Sequence, residues 1–311
     1  MKLATSVGDF GRYAPNPAAR VRMFEGTGFR HLDYDFYSVI SPKSPFMGPD
    51  WMEEVKAAGK AAEQLGFDFV QAHAPNYNSE NPNEDHEAGI LGTIRSIEAC
   101  AYLGIKNMVI HTPHSPTMCY PQDKAAYFEA CKRFLDQLTP HMEKHNVNIL
   151  VENSAEGNMG SRYFFLAAQD MVDFIQEYQH PLIHACWDTG HANMRGTDPY
   201  LDVLTLGSEL RALHVQDNFG EGDEHLAPFM GTMPMDSLMQ GLLKINYQGY
   251  FTFESSNILC ACKGWPHERR EFPLPEPARL TKISPGLKKQ AVALLYQIGK
   301  EILQAYDCFE E

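Results

Sequence analysis

Acids and imidazoles recur where short apolar runs of this chain stop. FVQAH ends in His73, MVIH in His111, NILVE in Glu152, HACWD in Asp188, RALH in His214 and YFTFE in Glu254. His191 follows Asp188 by three residues in DTGH. Acids and histidines supply 40 and 13 of the 311 residues, so six successive runs ending this way exceed the background. Groups of these types, gathered in one place, hold divalent cations and move protons. Burying several together is costly unless something offsets their charge, and a divalent cation does so. A mixed oxygen and nitrogen donor set suits one ion of Mn2+, Zn2+ or Co2+ better than an all-oxygen Mg2+ cage. No organic cofactor is called for.

The elements that would carry these residues alternate. Strand candidates fall at 3–7, 31–36, 67–73, 107–111, 148–153, 183–188, 212–217 and 250–255. Between them, amphipathic segments of helical period cover 50–66, 87–104, 124–146, 167–178 and 234–246, and a closing helix covers 284–307. Asp50 is the cap candidate of the first of these helices. Eight strands alternating with helices predict an α/β fold, a single (β/α)8 barrel over residues 1–311. A doubly wound sheet ranks second, because SVGDFGRY only partly matches a glycine-rich phosphate loop. In such barrels the C-terminal strand ends carry the chemistry, which is where the acids and histidines stand. Two long loops, 75–87 and 255–283, would overhang that end and cap a substrate; the second serves an interface equally well.

Composition narrows the class. Hydrophobic content of 44% and charged content of 21% are ordinary for a globular protein. No apolar run reaches the length of a membrane span, and the N-terminus reads as a first strand rather than a leader, so a cytoplasmic location is the default expectation. Seven scattered cysteines read as reduced thiols. The pair at 260 and 262 is too tight for zinc-finger spacing and reads as a loop. A net charge of −14 argues against a nucleic-acid partner.

Taken together, VEN (151–153), WDTGH (187–191), LHVQDN (213–218), DEH (223–225) and TFE (252–254) resemble the xylose isomerase-like barrel superfamily. That superfamily holds sugar isomerases and epimerases and also endonuclease IV. The resemblance covers nearly the whole chain. It implies one metal held by Glu152, Asp188, His214 and Glu254. Glu152 and Glu254 would also transfer substrate protons through a cis-enediolate, with His191 stabilising charge on a substrate oxygen. The implied activity is a divalent-metal-dependent sugar or sugar phosphate isomerase or epimerase with a small carbohydrate as partner. Dehydration of a polyol ketone would use the same chemistry. In the endonuclease branch three zincs take additional ligands matching His73, His111, His191, Asp223 and His225, and all five are present. DEHLAPFMG, however, also suits sugar-isomerase-like members, so these extras discriminate poorly.

Other readings stand beside these. A lone strand-end histidine is more often a hydrogen-bonded rim residue than a ligand. For His73, His111, Asp223 and His225, substrate contact competes with ligation. A metal-free sugar-binding barrel is a third hypothesis. His214 reads as a ligand, and the rest of HVQDNFGEGDEH as a rim loop that returns His225 to the site, with Asp217, Glu221 and Glu224 as solvated acids. Phe10, Trp51, Trp187 and Trp265 are candidates for an apolar wall against the sugar, Trp187 being better read as core. Arg195, Lys263 and Arg269 are candidates to meet a phosphate. The arginine that some epimerases place after the strand-seven histidine is replaced by Asn218 and Phe219, which leaves substrate anchoring open. A homo-oligomer is left open by analogy with the architecture.

Overall fold

Parallel strands and helices alternate along the chain, as the apolar runs require. The computed structural model describes residues 1–154, 160–259 and 283–311. Its strands are β1 (Leu3–Ser6), β2 (His31–Asp35), β3 (Asp68–His73), β4 (Asn107–Ile110), β5 (Asn148–Glu152), β6 (Ile183–Asp188), β7 (Leu210–His214) and β8 (Phe251–Phe253). β1 to β7 each pair in parallel with their sequence neighbours, and β8 pairs in parallel with β1. The ring closes where Val215 N–H donates to Thr252 O at 2.8 Å and Glu254 N–H to Val215 O at 3.0 Å. This is the (β/α)8 barrel expected from the alternation.

The described helices are α1 (Pro17–Met23), α2 (Met52–Leu65), α3 (His86–Leu103), α4 (Lys124–His145), α5 (Ala168–Tyr178), α6 (Thr189–Arg195), α7 (Pro199–Leu206), α8 (Met235–Lys244) and α9 (Pro285–Ala305). Their ends follow local chemistry. Asn16 caps α1 by accepting from Ala19 N–H at 2.9 Å, with Pro17 as its first residue. Asp85 caps α3 and Ser284 caps α9 in the same way. Gly66 and Gly104 end α2 and α3 in left-handed conformations. Asp50 does not cap α2: Glu53 N–H bonds to its backbone carbonyl in a turn, and the helix starts two residues later than the sequence suggests. The short helices α1, α6 and α7 escape periodicity, which needs a longer window, although Asn16-Pro17 and Asp198-Pro199 both carry the start signal. The loop after β8 from 260 to 282, including Trp265, Lys263, Arg269, Cys260 and Cys262, lies outside the described residues. No helix among the described residues is long and apolar enough to cross a membrane.

The hydrophobic core is continuous between sheet and helices, and Trp187 is fully buried in it. A separate buried cluster occupies the barrel interior: Val109, Leu150, Cys186 and Ala212. Side chains two apart on a strand share a face. These four therefore sit one layer below His111, Glu152, Asp188 and His214 and form an apolar floor beneath them. Leu150→Ala should open a cavity there and lower stability by about 2–5 kcal/mol. Urea unfolding of the variant beside the parent tests this, and an unchanged midpoint would refute the packing role.

Candidate active site and metal centre

Strand register brings the acids and the ring together. Glu152 stands abreast of Cys186, and Asp188, two residues further on the same face, stands abreast of His214. Glu254 follows β8 directly at the closing seam. One donor atom from each of Glu152, Asp188, His214 and Glu254 lies within 4.8 Å of all the others. His214 Nδ1 lies 2.5 Å from Glu152 Oε1 and 3.5 Å from Glu254 Oε2. Its Nε2 lies 3.5 Å from Asp33 Oδ2 on the opposite side. Asp33 is held by Gln71 Nε2 at 2.9 Å, so a buried carboxylate backs the imidazole and keeps Nδ1 turned toward the acids.

Three more histidines share one device. The Nδ1–H of His73 donates to Ala74 O at 2.7 Å, that of His191 to Asn153 O at 2.8 Å, and that of His225 to Glu254 O at 2.9 Å. A carbonyl oxygen only accepts, so each Nδ1 carries a proton and each ring is left with Nε2 for the site. His73 Nε2 and His111 Nε2 lie 3.7 and 3.0 Å from Glu152 Oε2. His191 Nε2 and His225 Nε2 both lie 3.3 Å from Asp223 Oδ2. Donor atoms of His73, His111 and Glu152 also gather within 4.8 Å.

Charge in this space is tightly balanced. Burial opposes ionisation of Glu152, yet His214, His111 and His73 outweigh it and hold the carboxyl well below its usual range. Asp188, fully buried and facing Glu254 and Glu152 as well as His191, is pushed up to about 7, first by desolvation. Burial disfavours charge on His225, but Asp223 and Glu254 raise it to about 10.

An outer layer fixes the acids. Asn153 clasps the Asp188 backbone through both polar atoms, at 2.7 and 2.9 Å. Gln216 Nε2 donates to Asp223 at 2.7 Å and reaches Asp188 at 3.3 Å, linking the two carboxylates. The Gln216 side chain lies on Gly190, where a Cβ would come within 2.3 Å of it. Glycine in WDTGH is thus a packing requirement. Asp217 is not the solvated acid that its loop position suggests. It is buried and accepts N–H bonds from Asn218, Gly231 and Met233, because the rim loop folds back over it and its own backbone needs those acceptors. That folding returns Asp223 and His225 to the cavity. Glu221 is exposed.

A cavity of about 690 Å3 opens above these groups, with His73, His111, His191, His214, Asp223, His225 and Glu254 on its wall. Glu152 lies behind it, 3% exposed. The structure does not bring Phe10, Trp51 or Arg195 to that wall. Phe10 is core, packed edge-on against Phe24. Trp51 packs against Phe46 beneath the Arg95 guanidinium. Arg195 lies over the ring of Tyr120. In their place stand Asp9, Asp33, Asp35, Tyr37, Asn78 and His114. Asp33 and Asp35 left a trace in the sequence, two acids at period two in HLDYD at a strand end. Asp9 and His114 left none, since their place depends on loop paths.

The donors fit a cation. Three carboxylates converge on one imidazole, and Glu152 Oε2 is buried with the Nε2 atoms of His111 and His73 near it but no hydrogen bond of good geometry. A divalent ion would satisfy both.

The chain matches the family model described as xylose isomerase-like TIM barrel over residues 29–273, and it belongs to that family. A curated relative, uncharacterized protein y4fM of Sinorhizobium fredii, is 27% identical over 188 residues, 60% of this chain; the match spans 58% of that protein's length. Among solved structures, a D-tagatose 3-epimerase-like protein aligns over 99% of this chain and 98% of its own at 16% identity and a TM-score of 0.72. D-psicose 3-epimerase of Clostridium cellulolyticum aligns over 97% and 99% at 17% identity and a TM-score of 0.69. AP endonuclease, family 2, of Brucella melitensis aligns over 81% and 91% at 13% identity and a TM-score of 0.60. At these identities the likeness is one of fold.

Protein loaded with Mn2+ and desalted should retain about one ion per chain, and Asp188→Asn with Glu254→Gln should lose it. Asp33→Asn should weaken retention by about 10–100-fold while leaving the melting curve in place. Elemental analysis after dialysis reads both, and full retention by the double variant would refute the assignment.

Proposed function

We propose that the protein is a divalent-metal-dependent sugar epimerase or isomerase that moves a proton at the carbon next to a carbonyl. The observation that carries this reading is the placement of two glutamates, Glu152 and Glu254, against Asp188 and His214 at the floor of a cavity of sugar size. Glu152, Asp188, His214 and Glu254 would hold the ion, which when bound supplies Lewis-acid polarisation of the substrate carbonyl. Glu254 is 25% exposed and reaches the cavity, which suits a base that takes the proton from the substrate carbon. Glu152, the second carboxylate of the donor set, would return a proton drawn from solvent, while Glu254 gives up to solvent the one it took. His191, held by Asn153 O, turns Nε2 toward the substrate oxygen and offsets the charge that develops there. Return to the same carbon gives epimerisation, and return to the next gives aldose–ketose exchange. Epimerase folds among the neighbours support the class, and this chain's donor set supports the chemistry.

A second reading, metal-assisted phosphodiester hydrolysis, has one observation in its favour: His73, His111, His191 and His225 turn Nε2 atoms toward Glu152 and Asp223, as a site of several ions would need. Net charge of −14 opposes binding to a nucleic-acid backbone.

A panel of ketoses, aldoses and their phosphates with Mn2+ in deuterated water should show solvent deuterium entering one product. Glu254→Gln should slow that entry by about 10²–10⁴-fold. No exchange with any member, or nicking of an abasic duplex, would turn the ranking over.

A further inference from the structure

The edge of the cavity carries a cation that the proposed proton transfer does not use. Arg162 stands in the loop after β5 and pairs with Cys119, in the loop after β4, through an isolated antiparallel bridge. Tyr120 N–H donates to Ser161 O at 3.0 Å and Tyr163 N–H to Met118 O at 2.7 Å, so both flanks of that bridge are fixed. Arg162 is half-buried, and its Nη1 donates to His114 Nδ1 at 3.2 Å. His114 lines the cavity beside Asn78. The Asn78 amide clasps the His114 backbone, accepting from its N–H at 3.0 Å and donating to its carbonyl at 2.9 Å.

The bond from Arg162 fixes a tautomer. A guanidinium only donates, so His114 Nδ1 accepts and carries no proton. Burial holds the ring below its usual pKa, and Arg162 adds to the effect, so the imidazole is neutral and its proton sits on Nε2. His73, His191 and His225 are the other way round, with the proton on Nδ1 and Nε2 kept for the donor set. His114 alone of these four turns an N–H outward.

The charge of Arg162 has no counter-ion. A neutral imidazole takes one of its several N–H donors and none of its charge. No carboxylate of the described residues pairs with it, although the chain holds 40 acids against 26 lysines and arginines. Glu84, which faces His114, is taken by Asn78 N–H at 3.0 Å and Asn81 Nδ2 at 3.1 Å. The cavity acids Asp9 and Asp35 belong to β1 and β2, on the far side of the ring from β5. A half-buried guanidinium with unused donors matches an oxyanion, which its planar fork meets with two bonds at once.

We infer that Arg162 and the Nε2–H of His114 form an anion subsite, which holds a carboxylate or phosphate of the substrate while the substrate carbonyl lies at the donor set. This rests on the sugar-enzyme reading above and narrows its substrate class to anionic sugars. His114 lines the same cavity as His214 and Glu254, so one ligand can meet both places.

The test compares D-fructose with D-fructose 6-phosphate and D-fructuronate, which differ at C6 alone, on the Mn2+-loaded full chain. Calorimetry reads binding and solvent deuterium reads exchange. At least one of the two anions should bind about 10–100-fold more tightly than fructose, and which of them does so tells phosphate from carboxylate. Arg162→Ala should remove that preference. Arg162→Lys should keep about threefold of it, because an ammonium makes no planar fork. His114→Phe should shrink it by about threefold to tenfold through loss of the N–H, with melting temperatures checked beside the parent. Fructose binding as tightly as both anions overturns the inference, as does failure of all three to bind. A preference that survives Arg162→Ala overturns the assignment to this residue. Exchange of fructose alone would leave the isomerase reading standing and remove this inference. Tight binding of an anion without exchange would do the reverse.

Discussion

Concentrated negative charge under one imidazole is the constraint around which the upper half of the barrel is organised. Glu152, Asp188 and Glu254 come from the ends of β5, β6 and β8, with His214 at the end of β7 between the last two and within reach of all three donor atoms. Without compensation, so many buried acids would repel one another and lose their water. The chain supplies part of the compensation through histidines, whose Nδ1 atoms are tied to backbone carbonyls and whose Nε2 atoms face the acids. The remainder is charge that a cation would offset.

Rigidity follows from the same arrangement. Each donor stands at the end of a strand, and the strands are locked in register by the ladder. Asn153, Gln216 and Asp33 then restrict what the strand ends leave free. A set of donors held this way is arranged before any ligand arrives, which is the condition for charge stabilisation without reorganisation.

Much of this could be read from residue order. Strand ends are visible because apolar runs stop, and on a barrel they all point one way, so Glu152, Asp188, His214 and Glu254 could be grouped without coordinates. The family followed from those residues, and the family model agrees. What stayed hidden depends on loops. Asp217 looks solvated in a string of polar residues, yet the loop wraps it and uses its oxygens. Aromatic and basic residues such as Trp51 and Arg195 were attractive by type alone, but neighbours on helices and turns claimed them. Asp9 and His114 reach the cavity through connections whose course no periodicity records.

The apolar floor of Val109, Leu150, Cys186 and Ala212 has a bearing on traffic. It lines the β4 to β7 side of the barrel interior directly under the donors, so the acids there rest on a layer that offers them no polar partner. A small molecule that met these groups would approach from the side where the cavity opens above them.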